Sequence, residues 1–151
     1  MPYSMKVEGD KYAKSFGRDL PISLKDSVNL CRALKGMRLE DAKDYLEDII
    51  KKKRAVPYFR YLDSVSHRRG IGPGRYPVKE AKYILKVLEN AEANAEDKDL
   101  DTDNLYIMHI AANKGEVYKR YVPRAMGRSV ELRRERVHIE VILEERTPEE
   151  E

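Results

Sequence analysis

A chain of 151 residues, 41% apolar and 38% charged, can close one modest core inside a heavily charged shell. No apolar run approaches the ~18 residues of a membrane span, and residues 1–12 hold no apolar signal-peptide segment. The single Cys31 rules out an intrachain disulfide, so a cytoplasmic protein with no membrane partner is expected.

The formal net charge of +3 conceals strong segregation. Residues 50–82 hold ten Lys/Arg against two Asp/Glu, and residues 114–136 hold eight against three. Residues 89–103 hold one against seven, residues 144–151 one against five, and residues 1–49 balance at nine each. Two basic and two acidic zones point to one side facing a polyanion and another facing solvent. Gln is absent while Lys, Arg and Glu abound, which resembles a thermophile's composition.

In chain order, residues 11–22 read as a first strand, with Tyr12, Phe16, Leu20 and Ile22 set among cations. Ser23-Leu24-Lys25-Asp26 is a capping-box variant. It opens a helix whose Leu24, Val28, Cys31 and Leu34 fall near one face, and Gly36 ends it. A second helix carries Leu39, Ala42, Leu46 and Ile49 at three- and four-residue steps, with acids near its start and basic residues 51–54 near its end.

Residues 52–76 keep neither a helical nor a strand period, and are predicted to be a structureless basic excursion over the surface. Loops of that length in compact domains are usually functional. Pro77 suits the first turn of a third helix, with Val78, Ala81, Ile84, Leu85, Leu88, Ala91 and Ala95 as its buried stripe. Three strand-like runs follow at 105–112, 116–122 and 130–143, and Asn113-Lys114-Gly115 is predicted to turn between the first two. In the last run Val137, Ile139, Val141 and Leu143 alternate with Arg136, His138, Glu140 and Glu144, giving one buried and one wet face.

The expected fold is α+β: three helices packed on a small antiparallel three-stranded sheet, with a long protruding β-hairpin. One globular domain is expected over residues 1–145, followed by an acidic disordered tail at 146–151.

The hairpin, residues 117–138, is the most telling stretch. Lys119, Arg120, Arg124, Arg128, Arg133, Arg134 and Arg136 face only Glu131 and Glu135, around a tip of Pro123-Arg124-Ala125-Met126-Gly127-Arg128. Charges that merely keep an edge strand from aggregating would explain two or three of these cations, not seven. A ribbon projecting beyond its sheet has no second layer to bury it. Folded RNA that encloses it supplies one, with arginine forks pairing to phosphate and stacking on unpaired bases. Gly127 is expected to supply the positive φ of a sharp tip. The second candidate zone is Arg54, Arg60, His67, Arg68, Arg69 and Arg75, interleaved with Tyr58, Phe59, Tyr61 and Tyr76 as stacking platforms. His138 joins the hairpin cations as a candidate RNA contact.

Other chemistries find no footing. Gly70-Ile71-Gly72-Pro73-Gly74 lacks the Lys-Ser/Thr of a phosphate-binding loop, and Pro73 removes a backbone donor. His67, His109 and His138 are scattered without ligand spacing, so neither metal nor cofactor is expected. Cys31 falls on an apolar helix face as an inert thiol. Two competing readings stay open at this point. A nucleic-acid-modifying enzyme would need His67, His109 and a carboxylate to line one pocket. A DNA-binding regulator would lay the ribbon in the major groove.

The segment KRYVPRAMGRSVELRRERVHIEVIL resembles the signature of a universal large-subunit ribosomal protein family, number twenty-two in bacterial naming. That pattern runs Lys-Arg, Pro-Arg-Ala, Gly-Arg, a basic run and His-Ile. Lys119-Arg120, Pro123-Arg124-Ala125, Gly127-Arg128, Arg133-Arg134 and His138-Ile139 match it here. Residues 88–96, LENAEANAE, resemble the family's second marker, and the likeness covers residues 11–145. The basic insertion at 52–76 and the acidic tail depart from the short bacterial form. They are similar to the archaeal and eukaryotic type, numbered seventeen in eukaryotes. The resemblance implies a non-enzymatic constituent of the large subunit that binds its rRNA beside neighbouring ribosomal proteins. It also implies a hairpin tip, here Ala125, Met126, Gly127 and Arg128, that helps line the polypeptide exit tunnel beside the nascent polypeptide.

Overall fold

The computed structural model describes residues 3–147. Strand β1 (Tyr12–Leu20) leads into helices α1 (Leu24–Leu34) and α2 (Leu39–Ile50). Short strands β2 (Val56–Pro57), β3 (His67–Arg68) and β4 (Gly72–Arg75) follow, then helix α3 (Val78–Asp97) and the long strands β5 (Leu105–Pro123) and β6 (Ser129–Glu145). The main sheet is antiparallel in the order β1-β6-β5, and a second small sheet has the order β2-β4-β3.

Helix starts and stops follow the local chemistry. Ser23 Oγ accepts from the Asp26 amide at 3.4 Å, as the capping pattern requires. The reciprocal half comes from elsewhere: Glu80 of α3 accepts from the Ser23 amide at 3.2 Å. Gly36, at φ +85°, lets the chain leave α1 in a left-handed conformation. In α2, Leu39, Ala42, Leu46 and Ile49 are all fully buried, as their spacing demands.

All three α-helices among the described residues pack on one face of the main sheet, α3 against β1 and α1 against β5. Val137, Ile139, Val141 and Leu143 of β6 and Leu105, Ile107 and Ile110 of β5 form the sheet's side of the core. Ile107 and Ile110 stand three apart, an impossible spacing for one face of a regular strand. A bulge between Ile107 and His109 restores the alternation. This is the α+β arrangement expected from the sequence.

Three expectations need correction. First, residues 113–115 do not turn: β5 runs unbroken through them, with a bulge between Lys114 and Val117. Pairing with the 17-residue β6 outweighs the local Asn-Lys-Gly signal. Second, residues 52–76 are not structureless, because the glycine-rich run itself is the central strand of the small sheet. Third, the outer face of β6 is not uniformly wet, since Glu140 and Ile142 are fully buried. Residues near the N-terminus cover it: Tyr3 packs edge-on against Phe16, and Ser4 donates to Glu140 through its amide at 2.8 Å and through its hydroxyl. Most of the expected acidic tail lies outside the described residues; Arg146 at its start donates its amide to Asn104 O at 2.9 Å.

Candidate nucleic-acid interface

Beyond the bulge, the β5–β6 ladder continues from Val117↔Glu135 to Pro123↔Ser129, and every residue from 118 to 135 is exposed. Directly opposed residues share a face. One face sets Tyr118, Arg120 and Val122 against Arg134, Leu132 and Val130. The other sets Lys119 and Tyr121 against Arg133 and Glu131. The second face is charge-paired: Lys119 lies 3.5 Å and Arg133 3.2 Å from the Glu131 carboxylate. The Arg133 hydrogen bond leads the causes that hold that carboxyl below its ordinary range. The first face has no such partner. Arg120 and Arg134 meet no carboxylate among the described residues, and Arg136 rests 5.1 Å over the Tyr118 ring.

The tip is a single 3-10 turn, Ala125–Gly127, closed by the Arg124 amide donating to Arg128 O at 2.7 Å. Gly127 adopts the expected positive φ, +70°, and Met126 adopts one too, +61°. That places Met126 95% exposed at the apex, with the Arg124 and Arg128 side chains unpaired among the described residues.

At the hairpin root, β1 bulges and Asp19 turns to φ +51°. Its amide donates to His138 Nδ1 at 3.0 Å, and the imidazole packs 5.4 Å from the Phe16 ring. His138, expected among the RNA contacts, is thus engaged inside the fold where hairpin meets body.

The second zone is built on the small sheet. Asn29, 1% exposed on α1, accepts from the amides of Phe59 (3.0 Å) and Arg60 (3.2 Å) and donates to Arg60 O (3.2 Å). Tyr58 points inward and donates its hydroxyl to Asp26 at 2.7 Å. Burial and that hydrogen bond push its pKa well above the ordinary tyrosine range, so it is an anchor and not a stacking platform. Arg68 Nε donates to Gly74 O at 3.2 Å, with its guanidinium 5.1 Å over Tyr76. Arg75 reaches Ser64 O at 3.3 Å. Arg54 lies 5.1 Å over Tyr45 and Arg60 5.5 Å over Phe59, while His67 and Arg69 are exposed.

Folding makes the two zones neighbours, which linear spacing could not reveal. A shallow cavity of about 390 Å³ takes in Arg134, Arg136, Lys79 and Glu80. A second, of about 440 Å³, shares Lys79 and Glu80 and continues to Lys52, Arg75 and Tyr76. Lys79 and Lys52 are therefore interface candidates the sequence reading passed over. Lys79 belongs to the basic stretch 50–82 but lies in the first turn of α3, past the 52–76 loop that holds the second candidate zone, and only the fold brings it to the interface.

No reacting constellation forms around the histidines. His67 lies in the small sheet, whereas His109 presents Nε2 to Glu140 at 3.0 Å and to Ser4 Oγ at 3.4 Å. A nucleophile relay needs its two partners on opposite ring nitrogens. Cys31 is buried, and burial pushes its thiol up to about 12.

The comparisons with known proteins agree with one another. The family model described as Ribosomal protein L22p/L17e matches residues 15–144. The large ribosomal subunit protein uL22 of Thermoplasma acidophilum is 54% identical over 143 residues, 95% of this chain and 94% of that protein. Those of Archaeoglobus fulgidus (47% over 148 residues, 95% and 96%) and Methanocaldococcus jannaschii (48% over 148, 96% and 95%) are similar to it along the same length. These matches, which fit the α+β body and long cationic hairpin, show that the chain belongs to the L22p/L17e ribosomal protein family, as a structural, non-enzymatic protein of archaeal type.

Proposed function

We propose that this protein binds large-subunit rRNA over one continuous surface made by the hairpin and the small basic sheet. In this reading it supports assembly of the subunit beside neighbouring ribosomal proteins. Its tip, Ala125 to Arg128, helps line the polypeptide exit tunnel and meets the nascent chain. The observation that carries the reading is the hairpin's exposure from 118 to 135, with Arg120, Arg124, Arg128 and Arg134 left without carboxylate partners among the described residues. Such cations keep their full charge for phosphate, and each phosphate neutralised releases condensed counterions. The hairpin face bearing Arg120 and Arg134 also carries Val122, Val130 and Leu132, which RNA sugars and bases cover better than water does.

The test is binding of the full chain to deproteinised large-subunit rRNA across a salt series. Affinity should fall steeply with salt. Substituting Arg124, Arg128 and Arg134 together by Ala should flatten the log–log slope by roughly 2 to 3, at 0.7 to 0.9 per lost phosphate contact. Salt-independent affinity sinks the proposal, and a preference for duplex DNA in competition would favour the regulator reading instead. For the tunnel, a photo-crosslinker at position 126 in assembled subunits should capture a stalled nascent chain. Capture by rRNA alone would remove the tunnel role.

A further inference from the structure

We infer that Phe59 and Arg32 form a stacking platform for an unpaired nucleobase. The inference rests on the RNA-binding reading above and names a specific feature of the RNA. Its parts come from two elements. Phe59 follows β2, and Arg32 lies on the solvent side of α1 with its guanidinium carbon 4.0 Å from the Phe59 ring centroid. That is van der Waals stacking distance, closer than any other cation–ring pair here. Arg60 stands 5.5 Å from the same ring.

Two features separate this stack from a casual surface contact. Its backbone is fixed: the buried Asn29 takes the amides of both Phe59 and Arg60, while Val56 and Tyr58 bury the alternate side chains. A half-buried ring is thereby held outward at low cost in ordering. The tier also borders a cavity of about 360 Å³ lined by Asn29, Arg32, Ala33, Pro57, Tyr58 and Phe59. Its lining is largely apolar, with the Phe59 ring and Arg32 as part of it. Neither Arg32 nor Arg60 pairs with a carboxylate among the described residues. An aromatic ring in an apolar lining accepts the face of a base, and unpaired guanidinia accept its flanking phosphates or extend the stack. A protein side chain could use the apolar lining, but it would leave two cations uncompensated, so charge complementarity selects RNA.

The test uses the full chain and deproteinised large-subunit rRNA as probe, with two variants. Phe59→Leu keeps apolar cover but loses the ring face. Affinity should drop about tenfold while the salt slope stays unchanged, because no ion contact is lost. Phe59→Trp keeps the ring, and since the chain has no other tryptophan, its emission reports this position alone. It should bind at least as well as Phe59, with emission quenched on saturation by rRNA. Equal affinity for Phe59→Leu and Phe59, or tryptophan emission unmoved by rRNA, overturns the platform. So does quenching by other ribosomal proteins in place of rRNA. The hairpin triple substitution in the same assay separates the two ideas. If it weakens binding while Phe59→Leu does not, the platform fails and RNA binding stands; if wild type shows no rRNA affinity, both fall.

Discussion

In the body, Glu140 is fully buried and takes hydrogen bonds from Ser4, His109 and Asn113, and the buried Asn29 is saturated by Lys25, Phe59 and Arg60. On the hairpin, four arginines extend into solvent without a carboxylate partner among the described residues, and the paired set Lys119–Glu131–Arg133 is exposed. A buried polar group left unpaired costs about 1–3 kcal/mol, whereas exposed ion pairs contribute about 0–1 kcal/mol. The body must therefore close most of its buried polar groups internally; among the described residues Ser27 Oγ and Asp19 Oδ1 are the exceptions. The hairpin is free to leave its cations open, because water solvates them, and on the proposed function RNA would replace that water. The difference teaches where mutations should register: in stability for the body, in binding for the hairpin.

The largest stability effect should come from Glu140→Ala. It orphans donors from three residues, including the N-terminal segment that covers the sheet, and should cost about 3 kcal/mol in denaturant unfolding. Burial alone would raise the Glu140 pKa, but the hydrogen bonds from Ser4, His109 and Asn113 together bring it below the ordinary value. A carboxyl whose pKa is depressed on folding contributes stability that is complete above its unfolded pKa and lost as pH falls through the folded one. The gap between wild type and Glu140→Ala should accordingly hold at neutral pH and shrink below about pH 4. A gap that widens on acidification would mean the carboxyl is not held ionised.

Asn29→Ala should come next, at about 2 kcal/mol, by leaving the Phe59 and Arg60 amides without their acceptor. Amide exchange should quicken first around residues 56–60 and spread to the small sheet, since that sheet hangs from α1 by Asn29 and by Tyr58 on Asp26. Uniform exchange across the whole chain would place Asn29 in the global core instead.

These two residues also mark the limit of what the sequence disclosed. The hairpin was legible because its message is linear: alternation, a Pro-Arg-Ala-x-Gly-Arg tip and a run of cations lie in consecutive positions. Helix stripes in α2 and α3 were legible for the same reason, as periodicity is local. Period two assigns Glu140 to the outer, wet face, whereas side chains of β5 and the chain's distant beginning bury it. Residues 52–76 read as structureless because a sheet pinned through Asn29 and Asp26, about 30 residues away, carries no local period. The expected turn at 113–115 failed by the same logic: its signal is local, and the ladder that overrides it spans the chain between Val117 and Glu135.

Gly115→Ala probes the junction between the two regions. A Cβ there would lie 3.0 Å from Arg136 O and 3.1 Å from Asp19 Oδ1. Backbone at the root must shift to admit it, at about 1 kcal/mol. The signature is local: the β5–β6 amides flanking the bulge should lose protection while α1–α3 keep theirs. Unchanged protection would show that the root accommodates a side chain, and that the bulge does not set the hairpin's direction.

The smallest stability effect should belong to the boldest change. Replacing Arg124, Arg128 and Arg134 by Ala removes three of the hairpin's cations, yet unfolding should move by less than about 0.5 kcal/mol. None of the three makes an ion pair among the described residues, and all lie in the fully exposed run. Relief of repulsion between neighbouring cations could even stabilise the free chain slightly, most visibly at low salt where screening is weakest. A loss of 2 kcal/mol or more would mean the arginines hold the ribbon together. Their presence would then need no RNA to explain it, and the contrast between a self-contained body and an open hairpin would disappear.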